Sequence, residues 1–185
     1  MAIDLATVLE EHRQRRDLVS LRRDEIDDHR IQGYVLGVSD ELVALQFVDD
    51  FRLDGLRILR VRDITGVACT SVDHFQRELL VREGLEKAVP FGRTFALRDW
   101  RPLINQLALE FPLMILECEA VDEPDFVIGK ARSFTETSVE FDYFSGVASW
   151  DAEPAKLALA DLTSCQVDSN YINVYRRHFE RLARS

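Results

Sequence analysis

An internal repeat is the feature of this sequence that most limits what the chain can fold into. Residues 31–35 align with residues 127–131 at a shift of 96, which places Gly33 on Gly129. After a two-residue insertion around residues 152–154, a shift of 98 places residues 63–65 (Asp-Ile-Thr) on residues 161–163 (Asp-Leu-Thr). Shared glycine, aspartate and threonine positions over about fifty residues favour duplication over a chance match of alternating strands. The 185-residue chain is therefore predicted to contain two copies of one module.

Each copy is predicted to contain a helix, five short strands and a second helix. Helical spacing of apolar residues predicts helices over 4–15, 73–83, 98–110 and 171–183. Alternation with a period of two, clearest over 42–47 and 139–143, is typical of strands with one face in water. The predicted strands cover residues 17–22, 30–38, 42–48, 56–61 and 65–70, and then 113–121, 126–134, 138–144, 156–160 and 163–168.

These elements predict a mostly β fold with flanking helices (α+β), built from two tandem helix-plus-five-stranded small barrels. Closure into a barrel removes exposed strand edges that so few residues could not otherwise protect. The predicted domains are residues 1–83 and residues 98–185, joined by residues 84–97, which contain Gly84, Pro90 and Gly92. Copies of about 90 residues have small cores, so we expect them to pack on one another.

The pattern resembles the Sm-like (LSm) and SH3-like small barrels, including several uncharacterised bacterial proteins. The resemblance covers most of each copy and is carried by residues 33–36 (Gly-Tyr-Val-Leu), 53–56 (Leu-Asp-Gly-Leu) and 62–65 (Arg-Asp-Ile-Thr). It implies small barrels and, as one function, RNA binding. A degenerate Sm-like RNA binder would use Arg57, Arg60 and Arg62.

The sequence departs from the Sm-like proteins at the residues that bind a base. Uridine-binding members carry an Asp-x-aromatic-Met-Asn run between strands two and three and an Arg-Gly pair near strand five. Residues 39–44 contain no Asn, and Arg62 is followed by Asp63 instead of Gly. The pocket that stacks and hydrogen-bonds a base is therefore not recoverable from these residues.

Residues that could carry chemistry form no recognised catalytic or metal-binding motif. The four histidines, at 12, 29, 74 and 178, show no two-histidine metal spacing, and His12 is predicted to be a solvated helix position. Cys69 and His74 could act as nucleophile and base if the fold brought them together, although no orienting third group lies nearby in sequence. Residues 24–28 hold four acids, which favour a solvated hairpin tip over a divalent-ion site.

The three cysteines, at 69, 118 and 165, match neither a disulfide scaffold nor a zinc site. They are predicted to be small buried side chains in a reducing cytosol. We therefore expect a protein that is not an enzyme, with no cofactor and no bound metal. The N-terminal residues lack the basic region of a signal peptide, and the most apolar stretch, 107–116, is too short and too interrupted to span a membrane.

Charge gives the main indication of a partner. A net charge of -10 argues against a protein that coats nucleic acid. Two stretches of the second copy contain acids and no base, and they predict an acidic surface that docks a basic protein partner. The candidate partner-binding residues are Glu117, Glu119, Asp122, Glu123, Asp125, Glu136, Glu140 and Asp142.

Taken with the composition, these patterns predict a cytoplasmic, non-enzymatic protein–protein interaction module, such as an adaptor or a toxin-neutralising immunity protein. The RNA-binding function remains the alternative, and homo-oligomerisation is left open. The C-terminal helix is predicted to dock through the apolar stripe Ile172, Tyr175, Phe179 and Leu182. Gly33 is predicted to allow a sharp strand bend, whereas Gln46 is expected to be exposed.

Overall fold

The computed structural model describes residues 4–184 and divides into two compact units, Met1–Arg98 (unit 1) and Asp99–Ser185 (unit 2). Unit 1 contains α1 (Leu5–Arg15), β1 (Leu18–Arg23), β2 (Asp27–Val38), β3 (Leu42–Asp49), β4 (Arg52–Arg60), β5 (Gly66–Ala68) and α2 (Ser71–Arg82). Unit 2 contains α3 (Trp100–Ala108), β6 (Met114–Cys118), β7 (Asp125–Phe134), β8 (Ser138–Tyr143), β9 (Ala155–Ala158), β10 (Ser164–Val167) and α4 (Asn170–Leu182). Each of these helices and strands overlaps a range predicted from the sequence.

The strands have the same relative order within the two units. In unit 1 the order is β5-β1-β2-β3-β4, and in unit 2 it is β10-β6-β7-β8-β9. The pairings of neighbouring strands inside each unit are antiparallel. In both units, therefore, the last strand of the unit pairs beside the first.

The prediction of two closed five-stranded barrels is wrong. In unit 1 the strand order runs from β5 to β4 and in unit 2 from β10 to β9, and among the described residues the two end strands of a unit do not pair with one another, so neither unit closes into a barrel. Barrel closure was expected because unprotected edges invite pairing with other chains, but short edge strands limit that risk in another way. β5 of unit 1 has three residues and β9 of unit 2 has four, so each of these end strands presents few unpaired backbone groups.

A β-bulge follows the aligned glycine of each unit. Gly33 of β2 lies opposite Phe47 of β3, and the pairing register shifts between Val35 and Gly37. Gly129 of β7 lies opposite Tyr143 of β8, and the register shifts between Ala131 and Ser133. A bulge bends its strand and increases the local twist. The same bend therefore occurs at the same aligned position in both units.

The two glycines are required by close approach of the neighbouring backbone. A Cβ at Gly33 would lie 2.5 Å from the carbonyl oxygen of Gln46, and one at Gly129 would overlap the carbonyl of Asp142. The prediction that Gln46 is exposed is wrong, since its side chain is buried and its Nε2 donates to the Gly55 carbonyl at 2.8 Å. Only a residue without a Cβ fits at these two positions.

Each unit has its own apolar core. In unit 1, Leu9 of α1 packs on strand residues that include Val19, Val35, Val43 and Leu59. In unit 2, α3 buries its apolar face, and its Trp100 indole N–H donates to the Leu162 carbonyl at 3.1 Å. These cores hold the helices against the sheet strands and so position the side chains described next.

Candidate functional site

The eight acidic residues predicted as a partner surface lie in two groups within unit 2. Five of them are in β6, in the turn that joins β6 to β7, or at the first position of β7: Glu117, Glu119, Asp122, Glu123 and Asp125. The other three, Glu136, Glu140 and Asp142, lie in the turn after β7 or in β8. β7 has ten residues and separates the two turns by about 30 Å at the usual rise per residue. The eight acids therefore do not form one continuous patch.

Part of the first group is hydrogen-bonded inside unit 2. Glu117 Oε2 accepts from Gln166 Nε2 at 3.1 Å, and Glu119 Oε2 accepts from the Thr163 hydroxyl at 2.7 Å. Both glutamates are partly buried. They help to hold β6 beside β10, and a partner would not find their carboxylates fully accessible.

The remaining acids of the first group form what we call the acidic tip, namely Asp122, Glu123 and Asp125 together with the adjacent Phe126. The three carboxylates are exposed, and no residue of the described chain forms an ion pair with them. The Phe126 side chain is 54% exposed, although it is large and apolar. The acidic tip thus combines negative charge and an uncovered aromatic ring on one hairpin.

The second acidic group is less available to a partner. Asp142 forms an ion pair with Arg132 at 2.6 Å, and Glu140 accepts from the Ser133 hydroxyl at 2.6 Å. Glu136 is exposed in the turn between β7 and β8. Because two of these three acids already have partners on β7, this group presents less free charge than the acidic tip.

The three arginines of the RNA-binding alternative do not share one face. Arg57 and Arg60 are three residues apart on β4, so their side chains leave opposite faces of the strand. The Arg57 guanidinium lies over the Phe47 ring at 5.7 Å, whereas Arg60 is only 7% exposed. Arg62 is exposed and lies 3.8 Å from the Asp63 carboxylate. This arrangement favours no common surface for a phosphate backbone.

The C-terminal helix α4 docks within unit 2, as its apolar stripe predicted, except at its last member. Ile172 is buried, and Tyr175 and Phe179 pack with it around Phe144. Leu182 is 59% exposed, so the prediction that it anchors the helix is wrong. Ser169 caps the helix by accepting from the Ile172 N–H, which fixes where the helix begins.

A cluster of nitrogen, oxygen and sulfur donors in unit 1 was not predicted from the sequence. The ligand atoms of His12, Asp17 and Cys69 lie within 4.8 Å of one another. His12 Nδ1 is 2.9 Å from Asp17 Oδ2, and His74 Nε2 is 3.7 Å from Cys69 Sγ. The prediction that His12 is a solvated helix position is wrong, because its side chain is only 14% exposed.

Local backbone structure explains how α1 supplies two of these residues. Arg16 adopts the left-handed conformation with φ 54°, which ends the helix. The Asp17 N–H then donates to the His12 carbonyl at 3.0 Å, and the Arg16 N–H donates to the Arg13 carbonyl. This is the hydrogen-bond pattern of a Schellman helix end. It turns the chain back so that the Asp17 carboxylate meets the His12 ring.

The start of α2 supplies the other two residues. Thr70 and Asp73 form a capping box, in which each side chain accepts from the backbone N–H of the other. Cys69 therefore stands just before the cap and His74 four positions after it. Side chains at these two positions commonly touch across the first turn of a helix. The Cys69–His74 contact thus follows from the capping box.

Two of the three cysteines, Cys69 and Cys165, have a pKa above the ordinary value for a thiol. Burial, and then the negative charges of Asp17 and Asp73, raise the pKa of Cys69. Burial also raises the pKa of Cys165, which is fully buried. A nucleophilic cysteine needs a lowered pKa, so Cys69 is not activated by His74 in this arrangement. Cys118 and Cys165 are buried as predicted, whereas Cys69 is half-buried.

A cleft of about 360 Å³ lies on unit 1 beside the acid of the α2 capping box. Its polar floor includes Asp73, which accepts from the Ser20 hydroxyl at 2.6 Å and from Gln32 Nε2 at 2.9 Å. Phe51, at 47% exposure, stands on its rim. These hydrogen bonds join the start of α2 to β1 and β2, so Asp73 contributes to the fold of unit 1.

Comparisons with known proteins return no relative: no family model, no curated protein and no solved structure matches this chain. Among the described residues, no helix has the length and apolar character needed to cross a membrane.

Proposed function

We propose that this chain is a cytoplasmic, non-enzymatic protein–protein interaction module of the adaptor or immunity type. Its contact surface would be the acidic tip, and its partner would be a protein with a basic surface. The observation that carries the proposal is the combination of three exposed, unpaired carboxylates with the exposed ring of Phe126.

The physical basis of the proposal is charge complementarity around an aromatic anchor. Asp122, Glu123 and Asp125 lie within four residues and repel one another, so a basic surface would relieve this repulsion on binding. Opposite charges also steer encounter and raise the association rate. An aromatic side chain at the centre of an interface often contributes most of the binding free energy. Phe126 would fill that position.

The state of the cysteines supports a function without covalent catalysis. A half-buried Cys69 with a raised pKa is a poor nucleophile at neutral pH, although a histidine contacts it. No sequence motif of a known enzyme class accompanies it. The RNA-binding alternative draws no comparable support, because Arg57 and Arg60 lie on opposite faces of β4.

We also propose that the two units arose by internal duplication. The same strand order, the same position of the aligned glycine and the same bulge two residues later support this proposal. The equivalent hairpin of unit 1 carries four acids over residues 24–28: Asp24 and Asp27 are hydrogen-bonded within the unit, and Glu25 and Asp28 are exposed. In this interpretation both copies carry exposed acids at this hairpin, and unit 2 differs by the exposed Phe126 beside them.

Affinity purification with charge-reversal variants tests the proposed function. The tagged chain would be recovered from its own host, and the co-purifying proteins would be quantified by mass spectrometry. The test variant is Asp122→Lys/Glu123→Lys/Asp125→Lys. The matched control reverses the same number of exposed acids elsewhere, as Asp40→Lys/Glu41→Lys/Asp49→Lys.

We expect a basic protein to co-purify with the original chain and with the control variant, but not with the acidic-tip variant. With purified components, the affinity should fall as salt is raised and should drop at least tenfold in Phe126→Ser. A partner that binds the acidic-tip variant and the original chain equally would overturn the proposal. So would an oligonucleotide affinity that falls steeply with salt and requires Arg57 and Arg62.

A further inference from the structure

We propose that unit 1 binds a zinc-type divalent transition-metal ion through His12, Asp17, Cys69 and His74. Two imidazoles, one carboxylate and one thiolate are four ligands of the types that bind zinc in proteins. The site lies where the end of α1 meets the start of α2, and it is separate from the acidic tip.

The donor distances fit a tetrahedral ion after small side-chain movements. Zinc bonds of about 2.0–2.1 Å to nitrogen or oxygen and about 2.3 Å to sulfur place ligand atoms roughly 3.3–3.6 Å apart. The His12 Nδ1 to Asp17 Oδ2 distance is 2.9 Å, and the Cys69 Sγ to His74 Nε2 distance is 3.7 Å. The first distance is about 0.4 Å shorter than in a tetrahedral site, so His12 and Asp17 must separate slightly on binding, and the second is within about 0.1 Å of the expected range.

The backbone holds the donors near one another without a metal. The Schellman end of α1 sets Asp17 beside His12, and the capping box of α2 sets Cys69 beside His74. The ligand atoms of His12, Asp17 and Cys69 lie within 4.8 Å of one another, and His74 joins this group only through its 3.7 Å contact with Cys69 Sγ, so its ring must turn toward the ion on binding. An ion would therefore join two helix ends that are already adjacent, at little cost in conformational entropy.

The charges around the cluster also suit a divalent ion. Asp17 and the Cys69 thiolate together supply two negative charges to balance it. Arg15 and Arg77 lie 3.2 and 3.9 Å from the Asp17 carboxylate. Each arginine also has a second acid, since Arg15 lies 3.5 Å from Glu11 and Arg77 lies 2.9 Å from Glu86. Each arginine thus keeps a carboxylate partner outside the site. Arg15, whose Nε contacts the same Asp17 oxygen as His12 does, would move toward Glu11 when the ion takes that oxygen.

Binding requires two proton movements. The Cys69 S–H bond breaks, its proton goes to the solvent buffer, and the sulfur electron pair forms the bond to the ion. The proton of the hydrogen bond between His12 Nδ1 and Asp17 Oδ2 also leaves, so that His12 binds through Nδ1 as a neutral imidazole with its proton on Nε2. His74 binds as a neutral imidazole, and no oxidation or reduction takes place.

Cobalt and zinc titrations of the full chain test the site. The purified protein would be treated with a chelator, and Co²⁺ would then be added as a spectroscopic probe. The original chain should bind a single Co²⁺ with a thiolate-to-cobalt charge-transfer absorption, and Zn²⁺ should displace it. Added Zn²⁺ should also raise the melting temperature, because a ligand that binds only the folded state stabilises it.

Cys69→Ala is the main variant, since Cys69 is half-buried and its loss should leave the metal-free protein folded. It should lose the charge-transfer absorption and the Zn²⁺-dependent rise in melting temperature. His74→Ala should weaken Co²⁺ binding at least tenfold. The matched control is His29→Ala, which removes the exposed histidine 2.6 Å from Asp27 in a pair that has no cysteine.

The control should bind Co²⁺ and Zn²⁺ as the original chain does. The proposal is overturned if Cys69→Ala and the original chain give the same Co²⁺ spectrum, or if the original chain shows no thiolate absorption when Co²⁺ is in excess. An unchanged affinity in His74→Ala would overturn the assignment of the fourth ligand. Far-UV circular dichroism in chelator shows whether each variant is folded before metal is added.

Discussion

The Thr65 hydroxyl and the Asp24 carboxylate are hydrogen-bonded at 2.7 Å, and the Asp24 N–H donates back to the same hydroxyl at 3.0 Å. The same reciprocal pair recurs in unit 2. There the Thr163 hydroxyl donates to Glu119 at 2.7 Å and accepts from the Glu119 N–H at 3.2 Å. Thr65 and Thr163 are aligned by the sequence repeat. In unit 1 the pair joins the residue after β1 to the residue before β5, and in unit 2 it joins the residue after β6 to the residue before β10. This correspondence supports the proposed duplication.

Replacing the two threonines should have unequal effects. Thr163 is fully buried, whereas Thr65 is exposed to water that can replace its hydrogen bonds. Thr163→Val should lower the free energy of unfolding by about 1–3 kcal/mol, the usual cost of a buried polar group left without a partner. Thr65→Val should change it by less than about 0.5 kcal/mol. Denaturant titrations measure both values, and equal losses would contradict the burial argument.

Gly33→Ala should destabilise the protein although it adds only a methyl group. The new Cβ would lie 2.5 Å from the Gln46 carbonyl oxygen, so the β2–β3 pairing must shift. Overpacking of this kind typically costs about 1–3 kcal/mol. Gly92→Ala is the matched control, because a Cβ there meets no atom within 4 Å. Thermal melts of the two variants should differ by several degrees, and a Gly33→Ala protein that melts like the control would contradict the close approach.

Asp73 should make the stability of the protein depend on acid pH. Burial raises its pKa, but hydrogen bonds from Ser20, from the Thr70 N–H and hydroxyl, and from Gln32 outweigh burial and lower the pKa below the ordinary 3.8. A lowered pKa in the folded state stabilises the protein above pH 3.8, and this contribution is lost as the pH falls through the folded-state value.

Asp73→Asn tests this dependence. At neutral pH the variant should lose about 1–3 kcal/mol of unfolding free energy, because charge-assisted hydrogen bonds at the cap of α2 are weakened. Between neutral pH and pH 3 it should lose less further stability than the original chain does. Glu83→Gln, at an exposed position, serves as the control and should follow the original chain. If the free energy of unfolding falls by the same amount in Asp73→Asn and in the original chain between neutral pH and pH 3, the role given to Asp73 is refuted.

The positions of the helices and strands could be predicted because they depend on local periodicity. The period-2 pattern over residues 42–47 located β3, although the prediction that one face of this strand lies in water is wrong because residues of both faces are buried. The helical spacing around Leu9 located α1. Closure of the sheet could not be predicted, since it depends on pairing between strands that are distant in sequence. The three residues of β5 carry too little pattern to show which strand they pair with or whether the sheet closes.

The sequence indicated two members of the donor cluster of unit 1, Cys69 and His74, and did not indicate that His12 and Asp17 join them. Cys69 and His74 were named as a pair only on the condition that the fold brings them together, and the capping residues Thr70 and Asp73 explain why it does. The contact between His12 and Asp17 was not foreseen, because the helix end between them uses Arg16 in a left-handed conformation that glycine usually adopts. Because no glycine stands at the end of α1, the sequence did not indicate that the chain turns back at Arg16.

Two side chains of α4 should differ sharply in their contribution to stability. Phe179 packs against Phe144 and Trp150 at ring-centroid distances of 4.9 and 5.3 Å, whereas Leu182 is 59% exposed. Phe179→Ala should therefore lower the free energy of unfolding by about 1–3 kcal/mol, less than a fully buried phenylalanine would. Leu182→Ala should change it by less than about 0.5 kcal/mol. Equal effects of the two substitutions would contradict the packing of this helix.

Truncation after Asn170 removes the whole docked face of α4, including Ile172, Tyr175 and Phe179. The loss exposes Phe144, Leu113 and Ile128, which the helix covers in the apolar cluster of unit 2. Burial of each large apolar side chain stabilises a protein by about 1.5–3 kcal/mol, so the truncated chain should be insoluble or should melt many degrees lower. Solubility and calorimetric melting measure the result. A truncated chain that melts at the temperature of the full chain would show that α4 contributes nothing to the stability of unit 2.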